Sequence, residues 1–113
     1  MTRECIEVLE GINMTDWDYF EWGSGRSTIY FAKRVRSVIS IESDKIWFDR
    51  VTSWIKTKGQ TNVDLRFVPL PDPPGMRSPG NMVYAESISQ CPDESLDCVL
   101  IDGWLRNECI SRT

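Results

Sequence analysis

The sequence predicts an α/β fold, an open parallel sheet in three layers with helices on both faces. Three observations predict it. Helical stretches alternate with β-branched or aromatic runs along the chain. The apolar run ending at Trp22 meets Gly23-Ser24-Gly25 abruptly, and a helical pattern starts at once after it. Acidic residues stand where strands end, at Glu21, Glu42 and Asp102.

The elements follow in order. Residues 3–13 place Ile6, Leu9 and Cys5 on one face of a short amphipathic helix, which Gly11 and Asn13 stop. "DYFEW", Asp18 to Trp22, is a short buried strand. Ser27 or Thr28 can cap the next helix, in which Thr28, Phe31, Ala32 and Val35 keep helical spacing. "SVISIES", Ser37 to Ser43, is a second strand by its β-branched Val38, Ile39 and Ile41. Ser43 and Asp44 can cap a third helix with the apolar set Trp47, Phe48, Val51, Trp54 and Ile55, ending near Lys58-Gly59. Alternation at Val63, Leu65 and Phe67 marks a third strand. Residues 71–81, "PDPPGMRSPGN", compose a loop, and Tyr84 to Ile88 give one or two helical turns. Asp97 to Ile101 is a fourth strand, running into Asp102-Gly103. Strands and helices in this order make βαβ units with right-handed crossovers.

Composition bounds what such a domain does. The 113 residues suffice for one domain, and 41% hydrophobic residues suffice for a core. A net charge of −4 argues against a general nucleic-acid or membrane-surface binder. The densest basic run, Lys33 to Arg36, reads as a solvated helix end. The 4 cysteines form no C-x-x-C pair and the chain has no histidine, which argues against a zinc site and against Ser-His-Asp or Cys-His chemistry. No metal is expected. The charged N-terminus and the lack of an apolar stretch of about 18 residues make a reduced, cytoplasmic protein the expectation.

The strand ends hold the candidate site, because open parallel sheets bind ligands outside the C-terminal ends of their strands. Gly23 and Gly25 allow a tight turn and close approach to the backbone. The helix after them offers free N–H groups. Glu42 lies at the end of the second strand, about 20 residues after Gly23, where a carboxylate accepts from both hydroxyls of a ribose. A dinucleotide fingerprint needs a third glycine where Thr28 stands, and a β-branched residue there is expected to hinder close helix–strand packing. No G-K-[ST] follows the glycines, so there is no Walker loop. An acid-rich cradle suits a cofactor with a ribose, an amino-acid end and a cationic centre.

At these residues the chain resembles the class I, Rossmann-like S-adenosylmethionine-dependent methyltransferases. "E-W-G-S-G", residues 21–25, is similar to that family's E/D-x-G-x-G motif. Glu42 in "SIES" and Asp102 in "LDCVLIDG" match its acidic strand ends. Small predicted bacterial and phage methyltransferases carry a similar run, with a D-G-x-x-R like Asp102 to Arg106. The resemblance covers roughly residues 16–110. It implies a sheet ordered 3-2-1-4 and a cradle for S-adenosylmethionine, with S-adenosylhomocysteine as product. Gly23, Ser24 and Gly25 would hold the methionine end, with Glu21 orienting its amino group. Glu42 would take the ribose. Ser43 stands where the family often has an apolar adenine wall, and the adenine would lie near Pro69 and Leu70. Asp102 would sit by the transferred methyl or the acceptor, as catalytic residue.

The family has about seven strands, and this chain reaches the fourth. Two expectations follow: a fragment of a larger methyltransferase, or a short form completed by self-association through the fourth-strand edge. The acceptor is not legible. A nicotinamide- or nucleotide-binding module and a non-catalytic assembly domain stay open as alternatives.

Overall fold

The computed structural model describes residues 3–73, 76–91 and 96–101. Its elements are α1 (Arg3–Glu10), β1 (Asp18–Trp22), α2 (Arg26–Ala32), β2 (Ser37–Glu42), α3 (Lys45–Thr57), β3 (Val63–Phe67), α4 (Pro79–Ala85), a 3₁₀ turn (Glu86–Gln90) and β4 (Cys98–Ile101). The four strands are parallel and ordered β3-β2-β1-β4. The register sets Trp22 beside Ile41 and Ile101, and Glu42 beside Phe67. The C-terminal strand ends are thus level and form one rim.

Alternation along β1 divides the core into two layers. Tyr19 faces Phe31, Ala32 and Val35 of the α2 segment together with Met14 and Val38. Its ring stacks on Phe31 with centroids 4.0 Å apart. Phe20 and Trp22 face the other way, onto Tyr84, Ala85 and Ile88. Each such buried aromatic removes enough apolar surface to stabilise the fold by about 1.5–3 kcal/mol. The sheet is therefore covered on both faces. Among the described residues, no helix is long and apolar enough to cross a membrane.

Several boundaries differ from the sequence expectations. Helix α2 is capped by Gly25, not by Ser27 or Thr28. Those hydroxyls lie inside the first turn, turned toward Glu21. Helix α3 takes Asp44 as its cap, the carboxylate accepting from Trp47 N–H at 3.1 Å. Residues 79–81, expected in a loop, belong to α4. Ser78 caps that helix and Pro79 fills its first turn, where a missing N–H costs nothing. The remaining loop is pinned by the buried Asn81, whose side-chain amide donates to the carbonyls of Pro73 and Met76 at 3.2 and 3.0 Å. A Cβ on Gly80 would lie 2.7 Å from Pro71 Cγ, so only glycine lets the loop close onto α4. Phe67 is exposed rather than inward, packing on Phe48 at the surface.

The basic run after α2 spends two of its charges on structure. Arg34 pairs with Glu10 at 2.9 Å and Arg36 with Asp18 at 2.6 Å. The second pair, with Ser37 donating to Asp18 at 2.6 Å, ties the N-terminal ends of β1 and β2 together.

Candidate functional site

The rim at the C-terminal strand ends is built from two carboxylates and the glycine turn between them. Gly23 leaves β1 with φ 94°, a left-handed conformation that favours glycine, and its N–H donates to Ile41 O at 2.7 Å. The turn therefore stays bound to β2 while it reverses. Gly25 N–H then donates to Thr28 Oγ1 at 3.0 Å, closing the start of α2.

Glu21 lies beneath this turn and is fully buried. Its Oε1 accepts from Tyr19 Oη at 2.8 Å and Ser27 Oγ at 2.9 Å. Its Oε2 accepts from Ser40 Oγ at 2.6 Å and from Thr28 Oγ1. Parallel pairing sets Ser40 beside Glu21, and the α2 first turn supplies the hydroxyls of Ser27 and Thr28. Burial pushes the Glu21 carboxyl above its ordinary value, and the four hydroxyls oppose that shift only in part. Burial beside Glu21 likewise pushes the Tyr19 phenol far up. Tyr19 is therefore a donor, not a base.

Glu42 ends β2 on the open side of the turn and is nearly buried. Its Oε1 accepts from Ser24 N–H at 2.9 Å and Ser24 Oγ at 2.5 Å. Its Oε2 accepts from Ser43 N–H and Asp44 N–H, both at 3.0 Å. The carboxylate thus joins the glycine turn to the start of α3. Trp47 completes the junction, its indole N–H donating to Ser24 O at 2.7 Å and its ring lying against Gly25. Val68 N–H donates to Glu42 O at 2.8 Å, which draws the segment after β3, including Pro69 and Leu70, to the same rim.

The geometry brings Gly23, Ser24, Gly25, Glu42 and Ser43 together. Glu21 joins them from below, with no exposed surface for a ligand to touch, where the sequence expectation set it against one. Asp102 lies outside the described residues. Two expectations change. Thr28 does not hold α2 away from the sheet; it is fully buried, because its hydroxyl finds an acceptor in Glu21. Trp47, expected only as part of the apolar set of α3, is a member of the cradle. Its place in the first turn after an acid-ended strand is the one sequence signal that could have found it. The hydroxyls of Tyr19, Ser27 and Ser40 were not legible as a cage, since three elements bring them together.

No protein-family profile matches the chain, and no curated protein matches it in sequence. Solved structures do match. A methyltransferase-like protein from Silicibacter pomeroyi superposes over 100% of this chain and 64% of its own, with a TM-score of 0.77 and 24% identity. The YcgJ protein from Bacillus subtilis matches 63% of this chain and 32% of its own, with a TM-score of 0.50 and 18% identity. The chain spans less than two thirds of the length of either protein. Such identities establish the fold alone: the protein has a methyltransferase-like fold, with its parallel sheet in the order 3-2-1-4.

Proposed function

We propose that the chain is the cofactor-binding portion of an S-adenosylmethionine-dependent methyltransferase. The observation that carries this reading is Glu42, a nearly buried carboxylate at the tip of β2, hydrogen-bonded to the glycine turn at the rim. A ribose seated over the β1–β2 rim would find this carboxylate as an acceptor in exchange for one of its present hydrogen bonds. The donor set fits the rest of the cofactor. Gly23 gives the turn its left-handed bend, and Gly25 lies against the Trp47 ring. The methionine end would lie along Gly23, Ser24 and Gly25, and Ser43 would border the adenine.

Charge separates this cofactor from a dinucleotide. The electropositive first turn of α2 already holds the Glu21 carboxyl, through Ser27 and Thr28. A pyrophosphate at the rim would find that turn engaged and would stand against the Glu42 carboxylate, whereas a sulfonium and an ammonium would be attracted to that carboxylate. Glu21 would act on the ligand through the stiffness of the turn.

When bound, S-adenosylmethionine supplies a methyl group on a sulfonium, open to in-line displacement. The protein's part is to hold and align, and to keep the Glu42 carboxylate near the cation. A base is needed only for an acceptor that loses a proton. Asp102, directly after the last residue of β4 in sequence, is the group we assign to that place.

Calorimetric titration with S-adenosylmethionine, S-adenosylhomocysteine and NAD tests the proposal. Binding of the two adenosyl-sulfur ligands and not of NAD is expected. Binding of NAD alone would favour the nucleotide-binding alternative, and no binding at all the assembly alternative.

A further inference from the structure

The Glu42 carboxylate offers about four acceptor positions, and all are filled. Ser24 N–H and Ser24 Oγ take Oε1, while Ser43 N–H and Asp44 N–H take Oε2. A ribose diol can engage this carboxylate only by displacing one of them. The four occupants are not equally movable. Ser43 and Asp44 donate from the backbone that starts α3, where Asp44 is the cap. Ser24 N–H belongs to the turn that Gly23 N–H anchors to Ile41 O and that Trp47 holds at Ser24 O. The Ser24 hydroxyl alone moves by rotation about one side-chain bond. Ser24 is half-buried, so its freed hydroxyl can reach water.

We propose that Ser24 is a specificity-determining residue of the cradle: its hydroxyl holds the diol position on Glu42 in the ligand-free protein and gives way only to a ligand that brings its own hydroxyls. The inference rests on the adenosyl reading of the site. A ribose replaces the lost hydrogen bond on Glu42 with its own, so exchange is nearly even in bonds made and broken. A deoxy sugar has nothing to offer Glu42, and Ser24 keeps its place. The backbone of the turn stays fixed throughout, because Trp47 bonds the carbonyl of Ser24 and not its side chain.

The consequence runs against ordinary mutational intuition. Removing a polar side chain from a binding site should here strengthen binding, because a competitor is removed. The test is calorimetric titration of wild type and Ser24→Ala with S-adenosylhomocysteine, adenosine and 2′,3′-dideoxyadenosine, with thermal melts to establish folding. Ser24→Ala is expected to bind S-adenosylhomocysteine and adenosine about fivefold to tenfold more tightly. Its affinity for dideoxyadenosine should be unchanged. Equal or weaker binding of S-adenosylhomocysteine by Ser24→Ala would overturn the role of Ser24 while leaving the adenosyl reading intact. An equal gain for dideoxyadenosine would also overturn it, since a general loosening of the turn would do that. Failure of both proteins to bind any adenosyl ligand would remove the adenosyl reading, and this role with it.

Discussion

The two ends of β1 carry one carboxylate each and treat it in opposite ways. Asp18, at the N-terminal end, is partly exposed and meets Arg36 and Ser37. Those partners hold its carboxyl below the ordinary range, Arg36 contributing most. Glu21, three residues on, is sealed in the core among four hydroxyls, with no cation among its described partners, and burial pushes its carboxyl up. The first arrangement fastens strands together at little cost. The second keeps an ionisable group out of water with no counter-charge among its described partners, which stability alone does not require. The difference teaches where the chain accepts a cost, and that place is the rim where Glu42, the glycine turn and Trp47 also meet.

The comparison can be broken most forcefully at Glu21. Glu21→Ala would leave the four hydroxyls without their acceptor and open a cavity, with an expected loss of about 3 kcal/mol in urea unfolding. A loss no greater than that of a surface substitution would mean the cage is not a structural node. Glu42→Ala should act on binding as well, weakening S-adenosylhomocysteine by about 1–3 kcal/mol in calorimetry. Unchanged affinity would remove Glu42 from the site.

Acid titration separates the ends by sign. Because the folded Glu21 carboxyl is raised above its ordinary 4.5, its contribution to stability is full below that value and lost as pH rises through the raised one. Acidification toward about pH 4.5 therefore favours the fold through Glu21. Asp18 does the reverse. Its contribution is present above the ordinary 3.8 and lost as pH falls through its lowered native value. In thermal melts across pH, Glu21→Gln should remove the first trend and Asp18→Asn the second. The same sign at both positions would contradict the comparison. The smallest effect is expected for Arg36→Ala. An exposed pair adds little, so its melt should shift slightly and its affinity for S-adenosylhomocysteine not at all.

Much of the fold was legible because strands announce themselves locally. Val38, Ile39 and Ile41 specify β2 without reference to anything distant, and acid followed by glycine marked the rim. What was not legible depends on register. Ser40 is an ordinary small residue of a strand until parallel pairing sets it beside Glu21. Thr28 looked like an obstacle to close packing until that same carboxylate gave its hydroxyl a partner. The start of α4 was hidden by composition, since Pro79 and Gly80 resemble loop residues unless Ser78 is recognised as a cap. Trp47 was assigned to the core because helical spacing reports a face and not a hydrogen bond.

The most direct test is a crystal structure of the protein with S-adenosylhomocysteine. The account predicts ligand density over the rim, with the ribose hydroxyls on Glu42, the homocysteine end along Gly23 to Gly25, and the Ser24 hydroxyl turned away from the carboxylate. Density lying away from Glu42, or a ribose bound there with Ser24 Oγ still on Oε1, would contradict it.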